Sequence, residues 1–380
     1  MEEYIVNSYA RFDLTVDHGS GAVVYDDQGK SYVDLTSGIG VNSLGYGDRG
    51  WISAVEDQLE KYQHCSNLYY SEPGTELAKK LVERTGMDKV LFVNSGAEAN
   101  ESAFKITRKY GNVIVGGKNA IISLNGSFHG RTIAAITATG QEKFHKDFDP
   151  FAPGFFYAEP GNICELEKLF AEVKPCALIM EMVQGEGGVV TLDRDYVRMA
   201  SKLCQDNDAA LIVDEVQTGI GRTGTFFAYE QFGIKPDMVT FAKGIGNGLP
   251  IGGVICNDKY ADVLKPGDHG CTFGMNPVAC AGANYVVDKI DDAFLEEVKA
   301  KGDYIRKHLE SLSKVQATSG LGLMIGIVLK DMAPIDAAKT LLTKGVMTLT
   351  AGSKLRMLPP LTITYEEIDR AFEAIDEVLG

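Results

Sequence analysis

The stretch VLFVNSGAEANESAFKITRKYG (residues 90–111) decides how this chain folds. Val90 to Val93 is a short apolar run of strand type. From Glu98 the spacing turns helical, with Ala99, Ala103, Ile106 and Tyr110 recurring at threes and fours. Between them Ser95 occupies an N-cap position with Glu98 three residues on, a capping-box pattern. A strand therefore runs through a small-residue turn, Ser95-Gly96-Ala97, into a helix N-terminus. Such an end carries unpaired N–H donors and partial positive charge, so it suits an anion and reads as a phosphate cup. An ordinary strand–helix turn explains the same residues equally well, and the rest of the chain has to choose.

Downstream the alternation continues. AIISL (120–124) leads into NGSFHGRT, ALIMEMV (177–183) into QGEGG, and AALIVDEV (209–216) follows a helical YVRMASKLCQDND. DMVTFAK (237–243) and GGVICN (252–257) complete the set. Short apolar runs without alternation, separated by helices, predict an α/β fold with a mostly parallel sheet buried on both faces. Upstream, Ala22–Tyr25 and Ser31–Leu35 around DDQGK predict a hairpin, followed by helices over 50–62 and 75–85. From about residue 285 the texture becomes that of a small α+β unit, with GLMIGIVLK (322–330) as an edge-type strand. The expected division is a large cofactor-binding domain over 47–261 and a small domain formed by 1–46 with 262–380.

Composition narrows the function. Over 380 residues the formal net charge is −15, which speaks against a nucleic-acid surface and an anionic membrane. An anionic substrate would then need Arg or Lys placed locally. Seven cysteines, scattered and never spaced C-x-x-C, fit a reduced cytoplasmic compartment and argue against a zinc site. The opening MEEYIVNSYARFD carries no signal- or transit-peptide pattern, and no apolar run approaches ~18 residues.

In open parallel sheets, ligands bind beyond the carboxyl ends of the strands. Here the polar residues collect at those ends: Ser95-Gly96-Ala97, then Phe128, His129 and Arg131, then Gln184 and Glu186, then Asp214, Glu215 and Gln217, then Lys243. A strand-end lysine can form a Schiff base with a carbonyl. An acid such as Asp214 can hold a heterocyclic nitrogen protonated, and a helix N-terminus can hold a phosphate. Pyridoxal phosphate needs all three, and Phe128 is available to stack on its ring. Each residue alone has a structural explanation; their shared edge is what favours the cofactor. One rival signal is GIGRTG (219–224), which matches the G-x-G-x-x-G dinucleotide fingerprint after a strand. The following TFFAYEQFG makes a poor glycine-loop helix, and no strand ends in Asp or Glu about 20 residues on, so an NAD-binding dehydrogenase is a remote alternative. A non-catalytic binding protein is opposed by the intact Lys243.

With NSYARFDLTVDHGSG, SGAEANESAFKITRKY, NGSFHGRT, VQGEGGV, LIVDEVQTGIGRTGTFFAYEQFGIKPD, TFAKGIGNGLPIGG, HGCTFGMNPVACA, LMIGI and KLRMLPPLTIT in this order, the chain resembles the class III (ω-amino acid) aminotransferases over nearly its whole length. The likeness is greatest to the branch acting on acetylornithine. The resemblance implies fold type I of the pyridoxal phosphate enzymes and a homodimer with sites at the subunit interface. Its activity would be transamination of N2-acetylornithine with 2-oxoglutarate in arginine biosynthesis. Ornithine, succinylornithine, succinyl-diaminopimelate and 4-aminobutyrate are the alternative amines.

Carried over residue by residue, the resemblance makes Lys243 the cofactor lysine and Asp214 the partner of the pyridine nitrogen. It puts Gln217 on the ring hydroxyl, Ser95, Gly96 and Ala97 on the phosphate, Phe128 on the ring, and Thr272 on a phosphate in the partner subunit. Arg131 would grip the α-carboxylate of acetylornithine and Arg356 that of glutamate or 2-oxoglutarate, with Glu186 neutralising Arg356 in turn. Tyr9 and Cys271 would border the substrate. The chain departs from the family pattern at Cys271 (usually Ser), Met182 (usually Pro), Met275 (usually Gly) and LGYGDRG (44–50, usually LGHxHP).

Overall fold

Residues 4–380 are described by the computed structural model. The alternating segments form one seven-stranded sheet: β1 (Lys89–Val93), β2 (Ile121–Leu124), β3 (Phe155–Ala158), β4 (Ala177–Met180), β5 (Ala210–Asp214), β6 (Met238–Phe241) and β7 (Gly252–Cys256). Their spatial order is β1-β7-β6-β5-β4-β2-β3. β4 and β5 are buried at every position, as the continuous apolar runs require. Successive residues point to opposite faces. Leu178, Met180, Leu211 and Val213 accordingly enter one core, while Ala177, Ile179, Ala210 and Ile212 enter another. The helix Gly96–Val113 covers the second face with Ala103, Phe104 and Ile106.

One strand departs from the parallel expectation. β7 runs antiparallel to both β6 and β1. The link from β6 to β7 is short and holds only the 3₁₀ turn Lys243–Ile245, whereas a parallel return needs a crossover of a dozen or more residues. The reversal matters for the site: it brings the start of β7, with Leu249-Pro250-Ile251 before it, to the edge where the parallel strands end.

The C-terminal part builds a second sheet in the order Val315–Leu321, Met324–Leu329, Lys354–Met357, Leu349–Ala351. Met324–Leu329 is interior in it, not an edge strand, because it pairs on both sides and Met324, Ile325 and Ile327 are fully buried. The N-terminal hairpin, Val23–Asp26 with Ser31–Asp34, gains Val346–Met347 as a parallel neighbour. Ala22, Val33 and Leu35 share a core with the C-terminal helix Tyr365–Leu379. The helix Pro277–Lys289 lies instead on Arg49–Lys61 and Glu72–Thr85.

The glycine motif GIGRTG is a buried connector. Arg222 within it is 2% exposed and donates from Nη1 to the carbonyls of Leu323 (3.1 Å) and Pro359 (2.5 Å). Burial pulls its guanidinium down to about 9. The loop thus ties the large sheet to the C-terminal part, and the helical turn that follows it, Ala228–Phe232, is only five residues of 3₁₀ type. Among the described residues no helix is long and apolar enough to cross a membrane.

Candidate active site

At the carboxyl edge of the sheet a cavity of about 400 Å³ opens. It is lined by Ser95, Gly96, Ala97, Phe128, Arg131, Glu186, Asp214, Gln217 and Lys243, all anticipated from the sequence, and also by Asn94, Asn100, His129 and Glu181. Ser95 caps its helix, its Oγ accepting from the Glu98 N–H at 3.2 Å, while the Glu98 carboxylate takes the Asn94 N–H at 2.7 Å. The N–H groups of Gly96 and Ala97 lie in the first turn, where no intrahelical acceptor exists. Gly96 is required: a Cβ there would stand 2.6 Å from Val216 Cγ1.

The floor is Asp214, 3% exposed at the end of β5. Its Oδ2 accepts from Asn100 Nδ2 and lies 2.8 Å from His129 Nδ1, and its Oδ1 accepts from the Val216 N–H at 3.0 Å. A carboxylate only accepts, so His129 carries its proton on Nδ1. Its buried Nε2 has no partner among the described residues. Asn100 is itself fixed, accepting from Thr240 Oγ1 at 2.8 Å and donating to the His129 carbonyl. Beside this lies Glu181, at the end of β4, receiving the N–H of Phe128 at 2.9 Å and of Gly185 at 3.4 Å. Burial and then the charge of Asp214 push its carboxyl well above the usual range. Asn100 and Glu181 carry a sequence signal of their own: each is a polar residue on an otherwise apolar helix face or strand.

Lys243 stands in left-handed backbone (φ 48°), uncommon for a lysine and held by the buried Gly244-Ile245 turn after it. Burial, and then the Arg356 charge, pull its ammonium below the usual lysine range against the opposing pull of Asp214 and Glu186. Arg356, 3% exposed on Lys354–Met357, sits behind the cavity lining. Its Nη1 donates to Glu186 Oε1 at 2.5 Å and to Gln217 Oε1 at 3.3 Å. Burial alone would raise the Glu186 carboxyl, but Arg356, with Gln217 and Lys243, holds it below the usual range. Glu186 rides on a tight turn between Val183–Gln184 and Val190–Thr191.

Besides Arg356, three anticipated residues lie outside the lining formed by one chain. Tyr9 is 72% exposed under the Arg11 guanidinium, and Thr272 is also exposed. Cys271 stands one residue back, its Sγ 3.1 Å from Asn94 Nδ2. Of the departures, Met182 is fully buried in the main core. Met275 takes φ 59° and lies over Gly74, where a Cβ would come within 2.3 Å of Met275 Cγ. The methionine therefore depends on glycine at 74.

The set fits pyridoxal phosphate: first-turn donors for a phosphate, a triply held buried carboxylate for a cationic ring nitrogen, a flat Phe128, and an amine depressed toward its neutral form. Comparison decides the family. The class III aminotransferase family model matches residues 4–379. The chain belongs to the class III aminotransferases. It is 51% identical to the acetylornithine aminotransferase of Haemophilus ducreyi, over 99% of this chain and 96% of that one, and 44% identical to that of Aquifex aeolicus, over 99% and 100%. Among solved structures, the ornithine aminotransferase of Toxoplasma gondii superposes with a TM-score of 0.94 at 31% identity, covering 100% of this chain and 92% of that one. That structure is described with partial PLP occupancy at its active site. The N-acetylornithine aminotransferase of Stenotrophomonas maltophilia gives 0.85 at 33%, covering 97% and 96%. The cofactor of this class III aminotransferase is pyridoxal phosphate.

Next to the catalytic floor, Glu215 has a different effect. It is fully buried and accepts from Thr218 Oγ1 at 2.5 Å and the Tyr229 N–H at 2.9 Å. Burial nevertheless raises its carboxyl from 4.5 to about 7. The native state therefore keeps a proton that the unfolded chain releases. This stabilisation, on the order of 3 kcal/mol, is fully present below pH 4.5 and lost as pH rises through about 7. Glu215→Gln should flatten that part of the stability–pH curve in urea unfolding between pH 5 and 8; an unchanged slope would remove Glu215 as its source.

Proposed function

We propose that this aminotransferase transfers the ω-amino group of N2-acetylornithine to 2-oxoglutarate, giving N-acetylglutamate 5-semialdehyde and glutamate, a step of arginine biosynthesis. The observation that carries the reading is the Arg356–Glu186 pair beside Lys243. A two-substrate site of this kind must accept one amine far from its carboxylate and another adjacent to it. Arg131 serves the first and Arg356 the second. Glu186 neutralises Arg356 while the ω-amine substrate is bound and swings aside for the 2-oxoglutarate α-carboxylate, which then forms a bidentate pair. The acetylornithine assignment is supported by relatives of that name at 39–51% identity.

Bound pyridoxal phosphate supplies an aldehyde that takes up the amino group and a protonated ring that accepts the electrons of the broken C–H bond. Ser95, Gly96 and Ala97 hold its phosphate, Phe128 its ring face, and Gln217 its ring hydroxyl. Asp214, oriented by His129 and Asn100, keeps a proton on the ring nitrogen. Lys243 Nζ would hold the aldehyde in the resting enzyme and, once free, would serve as the base and acid that moves the proton of the substrate's amine-bearing carbon. Thr272 reaches the partner's phosphate in a homodimer, and Tyr9 and Cys271 border the substrate there; the enzyme works in the cytoplasm.

The test is a single turnover without 2-oxoglutarate, following the cofactor's absorption after mixing with acetylornithine, ornithine, succinyl-diaminopimelate or 4-aminobutyrate. Acetylornithine should convert the cofactor to its amine form fastest by a wide margin. A faster rival would transfer the assignment to that amine, and no cofactor absorption at all would overturn the reading. In the same assay Arg356→Lys, which keeps the charge but loses the planar fork, should slow the 2-oxoglutarate half-reaction by about tenfold or more and the acetylornithine half-reaction far less. Equal losses would defeat the division of labour between the two arginines.

A further inference from the structure

Arg131 and Arg356 are held in opposite ways. Arg356 is held through Nη1, which donates to both Glu186 and Gln217. Arg131, among the described residues, forms no ion pair or hydrogen bond to a protein group; aromatic rings hold it instead. Its guanidinium carbon lies 4.1 Å from the centroid of Phe144 and 5.5 Å from that of Phe128, both within the ~6 Å reach of a cation–π contact. The two rings meet edge to face, 5.5 Å apart at 78°.

Phe144 does not come from the strand-end motif. It closes the short turn Glu142–Phe144, which follows the helix Ile133–Ala138. That turn is pinned to the loop bearing Phe128: Gln141 Nε2 donates to the Ser127 carbonyl at 2.9 Å, the Gly140 N–H to Ser127 Oγ at 3.0 Å, and the Gly126 N–H to the Gly140 carbonyl at 2.7 Å. The ring therefore keeps its place relative to Phe128.

A guanidinium carries its five N–H donors around its edge and offers its faces to stacking. Rings that hold it by attraction to their π faces orient it without consuming a donor or cancelling its charge. A carboxylate tether, as on Arg356, would have to be displaced by each incoming substrate. Lys143 Nζ, 4.7 Å from the Phe144 centroid, adds positive potential without competing for those donors.

We propose that Phe144 is a positioning residue for Arg131, and that the Phe128–Phe144 pair sets the selection for amines bearing a carboxylate. This rests on the reading of Arg131 as the grip on the acetylornithine carboxylate. The test compares N2-acetylornithine with N-acetylputrescine, which keeps the amine and acetyl group but lacks the carboxylate, in the holoenzyme and its Phe144→Leu, Phe144→Tyr and Arg131→Leu variants. Phe144→Leu should lower kcat/KM for acetylornithine about tenfold, mostly through KM, and that for N-acetylputrescine by less than about twofold. Phe144→Tyr, which keeps the ring, should behave as the parent. Calorimetric binding of N2-acetylnorvaline, with the carboxylate but no ω-amine, should weaken in Phe144→Leu by the same factor.

Equal losses on both amines, or no loss on acetylornithine, overturn the proposal. If Arg131→Leu lowers acetylornithine turnover selectively and Phe144→Leu does not, the proposal alone fails. If Arg131→Leu also leaves the ratio of the two amines unchanged, the reading of Arg131 fails and takes the proposal with it.

Discussion

Lys243→Ala is expected to lower kcat by at least about 10⁴-fold, the upper end of what a positioned general base supplies. The side chain lines the cavity among Asp214, Glu186 and Ala242. Burial favours its neutral amine, the form able to take a proton. Among the described residues no other lysine lines the cavity, so no neighbouring lysine is placed to substitute. The fold should survive, because alanine removes a buried charge-bearing group and adopts the same left-handed backbone at similar cost. Far-UV circular dichroism should match the parent, and absorption after dialysis should still show noncovalently held cofactor. A variant keeping more than about a hundredth of the parental rate would show that Lys243 is not the proton-transferring base.

Asp214→Asn should come next in effect, with kcat reduced about 10²–10³-fold, the scale of removing one preorganised electrostatic partner from a buried site. The substitution keeps the shape and removes the charge. It also turns one oxygen into an N–H₂ donor facing groups that now donate to Asp214: His129 Nδ1, Asn100 Nδ2 and the Val216 N–H. At least one of these loses its acceptor. Unfolding free energy should therefore fall by about 1–3 kcal/mol, and the two losses can be measured separately by steady-state kinetics and urea titration. If kcat stays within about tenfold of the parent, the ring nitrogen does not depend on Asp214.

Much of the site is legible in the sequence. The cup at Ser95-Gly96-Ala97 could be read because a capping residue, small residues and helical spacing are all local signals. Asp214 and Lys243 could be read because each ends a run of buried apolar residues at an edge where α/β sheets bind ligands. The less legible residues act through partners distant in sequence. Glu186 and Arg356 stand 170 positions apart, and Asn100 reaches Asp214 over 114. Phe144 lies in a turn with no pattern of its own, and its meaning depends on the ring and the cation it meets. GIGRTG shows the opposite failure: the spacing of a nucleotide loop on a segment whose arginine is buried against the C-terminal part.

The sequence by itself determined the strand–helix alternation, the two-sided burial of the sheet, the edge at which chemistry collects and the family the chain belongs to, since each rests on local periodicity or on the order of short motifs. Only the tertiary structure decided the direction of β7, the interior place of Met324–Leu329, the triple hold on Asp214 and the contrast between an arginine held by a carboxylate and one held by aromatic rings. An apolar run reads the same in either direction and at the edge or centre of a sheet. Strand direction, pairing and charge compensation are settled by packing between segments that the linear pattern does not connect.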